Sequence, residues 1–178
     1  MTVLLPLVDV EQITGPLRDR TDLVAGLGGD LTFYRWAANA PEIAEFYWGA
    51  FYRDLFFRGV LPVRLKELVR LRLAGLTGCS FCSAGDRASA MANGVSESEV
   101  DAAFAGDAAA FVDLEEKAAL RVAEAVAAGE PGVAAADLAM FAPRQGVELV
   151  VVAGVLAGVG RMLLATGFVP VVCPVRET

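Results

Sequence analysis

Between Pro62 and Gly94 the chain spells two helices and the break between them, and this pairing constrains everything built around it. Leu65, Leu68, Val69, Leu71, Leu73 and Leu76 recur at helical spacing behind Pro62, and the run ends at Thr77-Gly78. A second helix is expected from near Cys79 through Ala92, closing at Asn93-Gly94, a left-handed C-terminal signal. Ala, Val and Leu dominate a composition that is 56% apolar and poor in aromatic strand formers, which favours an all-helical fold over a sheet.

The other segments read the same way. Leu31 to Ala38 and Pro41 to Arg58 carry aromatic and aliphatic residues at helical spacing. Ser96 with Glu99 forms a capping box for a short helix toward Phe104. Leu114 to Ala128 opens on acidic residues and closes at Gly129, Ala134 to Phe141 gives a short helix, and Gly146 to Gly167 gives the last long one. Before them Pro6, Gly15, Pro16 and the glycines at 26, 28 and 29 punctuate the chain, so an irregular arm is expected there. The 178 residues suit one domain over 1–178, with residues 1–30 as the arm and 31–178 as a helical core. Pro62-x4-Glu67-Leu68-Val69 recurs as Pro143-x4-Glu148-Leu149-Val150, which reads either as a duplicated half or as two buried helices with similar starts.

Charge limits the partners. A formal net charge of −7 without a basic cluster argues against nucleic acid or an anionic membrane surface. Val147 to Val172 is strongly apolar, yet Glu148, Arg161 and several glycines interrupt it, so a buried core helix is expected rather than a membrane span. No Lys or Arg precedes the first short apolar stretch and Asp9 follows it closely, which points away from a signal peptide and toward a cytoplasmic protein.

The chemistry centres on Cys79-Ser80-Phe81-Cys82, twelve positions after Glu67, in a chain without histidine. Three cysteines do not make a secreted disulfide framework, and in a reducing compartment a close pair is catalytic or metal-binding more often than structural. A zinc site needs two further Cys or His ligands and only distant Cys173 remains, so neither metal nor cofactor is expected. On a helix beginning at Cys79, Cys79, Cys82 and Asp86 fall at i, i+3 and i+7 on one face, where a disulfide between neighbouring turns is feasible. The first turn stabilises a thiolate, whereas an ionised Glu67 or Asp86 opposes it unless the carboxylate acts as the base. Twelve residues of unbroken helix would hold Glu67 about 18 Å from Cys79, so the Thr77-Gly78 break must fold the chain back. Otherwise Glu67 pairs with Arg70 or Lys66 on a solvated face.

At these residues the sequence resembles the alkylhydroperoxidase-D-like, or carboxymuconolactone decarboxylase, family. The resemblance is carried by ELVRLRLAGLTGCSFC, a glutamate, eleven residues and the cysteine pair, then by NGVSESEV, and by the surrounding helices from Ala37 to Val169. It implies an all-α, single-domain helical bundle that assembles as a homo-oligomer, a trimer or hexamer, with the cysteine pair facing a buried pocket. It further implies that Cys82 attacks a peroxide, that Cys79 resolves the sulfenic acid as a disulfide, and that Glu67 belongs to a proton relay. A dithiol reductant, a lipoyl-bearing or thioredoxin-like protein, then restores the thiols. The chain departs from the family where peroxidase-like members carry a histidine four residues after the second cysteine: Asp86 stands there, and Phe81 stands between the cysteines.

Three functions follow as expectations. The first is a thiol-dependent peroxidase or disulfide oxidoreductase using Cys82, Cys79 and Glu67. The second is a cofactor-free decarboxylase, lyase or isomerase in which Glu67 and Asp86 act as acid and base on a small organic substrate. The third is a non-catalytic oligomeric binding protein with an inert CxxC. Tyr34, Trp36, Tyr47, Trp48, Tyr52 and Phe56 read as core residues or pocket walls. Arg70 and Arg72 read as carboxylate holders or as partners of acidic neighbours.

Overall fold

A computed structural model describes residues 4–26, 29–78, 80–129, 132 and 135–168, and of residues 80–84 it describes the backbone. Among the described residues every regular element is helical. The chain groups into two compact units, Val3–Arg58 and Gly59–Thr178.

In the first unit a helix spans Gly15–Gly26 (α1), where the glycines and Pro16 led us to expect irregular turns. Pro16 sits at the helix start, where its missing N–H costs nothing, and Arg18 pairs with Asp22 one turn on at 2.8 Å. The arm before it is tied down as well: Arg35 Nε donates to the Val8 carbonyl at 2.9 Å and Asn39 Nδ2 to the Pro6 carbonyl at 2.8 Å. Thr32–Ala37 (α2) and Pro41–Glu45 (α3) follow, and the chain continues from α3 into a π-helical segment, Phe46–Phe56. Their aromatic rings pack on one another, with Tyr34 stacked on Trp48 at 4.8 Å and Tyr47 on Phe51 at 5.8 Å. Ile13, Leu17, Ala37 and Ala44 form the buried core beside them.

The second unit is built around Val63–Thr77 (α4). Ser80–Ala92 (α5), Glu97–Ala105 (α6), Leu114–Ala128 (α7), Ala135–Leu138 (α8) and Pro143–Ala165 (α9) complete it. Helices α5, α6, α7 and α9 all pack on α4. This leaves α4 buried on nearly every side, so Lys66, Glu67 and Arg70 are buried together with its leucines. Leu68, Leu71, Ala90, Val95, Val100, Ala103, Phe111 and Leu120 form the apolar centre.

Specific residues set the spacing. A Cβ on Gly75 would overlap the Phe104 carbonyl, so only glycine permits the α4–α6 approach. Arg64 bridges α4 to α6 and α7 through Glu99 at 2.6 Å and Glu116 at 2.7 Å. The capping box at Ser96 and Glu99 and the left-handed stop at Gly129 stand where the sequence placed them. Helix α9 has the length and hydropathy of a membrane span, yet Glu148, Leu149, Val152, Ala153, Leu156, Ala157, Gly160 and Leu163 are buried in a helix that packs on α4 and α7.

Candidate active site

Gly78, at φ 63°, gives the left-handed turn that ends α4 and lets the chain reverse. Helix α5 then returns along α4, and residues far apart in sequence meet across the seam. Glu67 is fully buried. Its Oε1 accepts from Ser89 Oγ at 2.8 Å and from Asn93 Nδ2 at 3.0 Å, while its Oε2 pairs with the Arg70 guanidinium. Glu67 does face Arg70, but in the interior rather than on a solvated face.

Arg70 also reaches Asp86 of α5, Nε to Oδ1 at 3.3 Å. The Asp86 side chain is 16% exposed. Burial pushes its carboxyl up to about 6; the Arg70 cation pulls the other way, and the Glu67 charge adds to the rise. Arg70 is thus a cation between two carboxylates, one anchored by three donors and one titrating near neutrality.

Of the four residues expected at the site, Glu67 and Asp86 are joined through Arg70. Cys82 stands in the first turn of α5, four residues before Asp86. Cys79 lies outside the described residues, as does Cys173. Ser89 and Asn93 escaped the sequence reading, where Asn93 served only as a helix stop. Their signal was present: Cys82, Asp86, Ser89 and Asn93 are spaced i, i+4, i+7 and i+11, a polar stripe along one side of an otherwise Ala-rich helix.

A second buried pair lies on the same central helix. Lys66 Nζ meets Glu148 Oε1 at 2.8 Å, and the Val60 and Leu61 amides donate to the two Glu148 oxygens at 2.7 Å and 3.1 Å. Burial raises the Glu148 carboxyl, but Lys66 and the two amides outweigh it and hold the group below the usual range. The repeated Pro-x4-Glu-Leu-Val thus places a buried glutamate on each helix, with different partners: Glu67 faces α5 and Glu148 clips α9 to the turn before α4. No group of three or more Cys, Asp or Glu suited to a metal occurs among the described residues.

The described helices enclose a buried glutamate, and Cys82 stands in the first turn of the returning helix; the fold is alkylhydroperoxidase-like. A crystal structure of the alkylhydroperoxidase AhpD core, an uncharacterized peroxidase-related protein from Ralstonia eutropha JMP134, shares it with a TM-score of 0.77 over 96% of this chain and 93% of that one, at 14% identity. Residues 41–125 match the Carboxymuconolactone decarboxylase family, in line with the sequence resemblance, and this segment holds Glu67, Arg70, both cysteines, Asp86, Ser89 and Asn93. No curated protein sequence matches the chain significantly.

Proposed function

We propose that the protein is a thiol-dependent hydroperoxidase or disulfide oxidoreductase. The observation that carries this reading is the buried network of Glu67, Arg70 and Asp86, which reaches α5 one turn from Cys82. Cys82 lies among the free amides at the helix start, where a thiolate is favoured. Its thiol proton passes to a carboxylate of the network and its sulfur attacks the terminal oxygen of a hydroperoxide: the S–O bond forms, the O–O bond breaks, and the alkoxide leaves with that proton, returned by the carboxyl. The Cys79 thiol then attacks the sulfenic acid, a disulfide forms and water departs. A dithiol donor, lipoyl-bearing or thioredoxin-like, returns the pair to thiols. The cytoplasm suits this cycle because it keeps such thiols reduced.

Self-association belongs to the same proposal. Val147 and Val151, 66% and 44% exposed, form an apolar stripe on the outer side of α9 and fit contact with a second copy. A cofactor-free lyase or decarboxylase remains the second reading, favoured by Asp86, a largely buried acid that titrates near neutrality beside a cation.

Consumption of cumene hydroperoxide with dihydrolipoamide as reductant tests the first reading. Turnover should be lost in Cys82→Ser and in Cys79→Ser. Absence of turnover with this and other dithiols, together with lyase activity that survives Cys82→Ser, would favour the second reading and overturn the first.

A further inference from the structure

We infer that Asp86, rather than Glu67, exchanges the proton with Cys82, taking it from the thiol and returning it to the leaving alkoxide, while Arg70, Ser89 and Asn93 act as positioning residues. The inference rests on the thiol-peroxidase reading and assigns the roles within it.

Register separates the two carboxylates. Helix α5 runs antiparallel to α4, since Glu67 meets Ser89 and Asn93 while Arg70, further along α4, meets Asp86. Asp86 is four residues beyond Cys82, about 6 Å along the helix axis, whereas the residues that hold Glu67 are seven and eleven beyond it, about 10–16 Å. Of the two carboxylates, Asp86 is the one about a single turn from the nucleophile.

Occupancy separates them as well. Glu67 already accepts from three donors, Arg70 on one oxygen and Ser89 and Asn93 on the other, and its side chain is fully buried, so the network holds it in place. Among the described residues, Asp86 has a single ion pair, with Arg70. The charged groups facing Asp86 across the seam are Arg70 and Glu67 of α4; on the α6 side, Asp101 is engaged by Arg87 at 2.7 Å. A carboxyl near 6 is ionised enough at neutral pH to accept a proton and acidic enough to return it. Glu67 fixes Arg70, and Arg70 fixes Asp86.

Two reagents on one thiol test this assignment. The full-length protein and its Asp86→Asn and Glu67→Gln variants are followed at Cys82, by peptide mass, during reaction with cumene hydroperoxide and separately with iodoacetamide, between pH 5 and 8.5. Iodoacetamide needs only the thiolate, whereas the hydroperoxide also needs a proton for its leaving group. Asp86→Asn should therefore slow the hydroperoxide reaction about 100-fold and erase its inflection near pH 6, yet speed alkylation at pH 7.5 a few-fold by removing a neighbouring negative charge. Glu67→Gln should keep the inflection. Should Glu67→Gln fail to fold, Asp86→Glu serves in its place: restoring a carboxyl at that position should bring back the inflection that Asp86→Asn erases, and an inflection still absent would overturn the assignment.

An inflection that survives in Asp86→Asn and disappears in Glu67→Gln would overturn the assignment. Equal slowing with both reagents would also overturn it, because that marks a merely structural role. If wild-type Cys82 ignores hydroperoxide at every pH, the peroxidase reading fails and the alkylation arm still decides which carboxylate adjoins Cys82. Faster alkylation in Asp86→Asn than in Glu67→Gln supports Asp86, and the reverse refutes it.

Discussion

At the scale of single residues the site is a contest between burial and charge. Asp86 has a folded pKa of about 6 against an ordinary 3.8, so folding favours its protonated form. The sign follows: the native state is relatively most stable below pH 4 and loses that advantage as pH rises through 6. Asn, a neutral isostere, avoids the loss. Asp86→Asn should match wild type in urea denaturation near pH 4 and exceed it by on the order of 2–3 kcal/mol at pH 8. A variant less stable than wild type at pH 8 would mean that the Arg70 ion pair outweighs the cost of burying the charge. Histidine in that position would bring positive charge toward a thiolate; aspartate beside Arg70 instead gives a chain without histidine a group titrating near neutrality.

At the scale of elements, α4 decides the architecture, and its glycines and ion pairs hold neighbouring helices at fixed places. Gly78→Ala forces a side chain into φ 63° and should cost about 1 kcal/mol, read as a lower urea midpoint. Lys66→Met leaves Glu148 buried with only its two amide donors and should cost about 3–5 kcal/mol, part of which Lys66→Met/Glu148→Gln recovers. Full destabilisation persisting in the double variant would show that Lys66 contributes packing rather than charge compensation.

Much at this scale was legible in the sequence. Thr77-Gly78, Asn93-Gly94, Gly129 and the Ser96-Glu99 box mark helix ends through local backbone chemistry, and each does so in the structure. What stayed hidden depends on tertiary placement. The helix at Gly15–Gly26 was masked by its own punctuation, since Pro16 starts a helix as readily as it breaks one. The turn at Gly78 was visible, but not that it would bring Ser89 and Asn93 onto Glu67, because hydrogen bonds between side chains 22 and 26 residues apart leave no periodic trace of their own. Burial of Arg70 was hidden for the same reason: a cation on an apolar helix looks solvent-facing until helices close around every side of it.

For the whole molecule, the proposed assembly and the proposed chemistry are separable. If copies associate through the outer stripe of α9, Val151→Glu should lower the mass seen by light scattering on a sizing column while leaving far-ultraviolet circular dichroism unchanged. Unchanged mass would place any self-association elsewhere. The Carboxymuconolactone decarboxylase family match over residues 41–125 spans the whole buried network, so that network is where the chemistry is sought. The most direct test of the central claim is the intact mass of reduced protein after alkylation, with and without brief exposure to a slight excess of organic hydroperoxide. The account predicts rapid loss of two alkylatable thiols, mapped to Cys79 and Cys82 and abolished in Cys82→Ser. Retention of both thiols after exposure would contradict it.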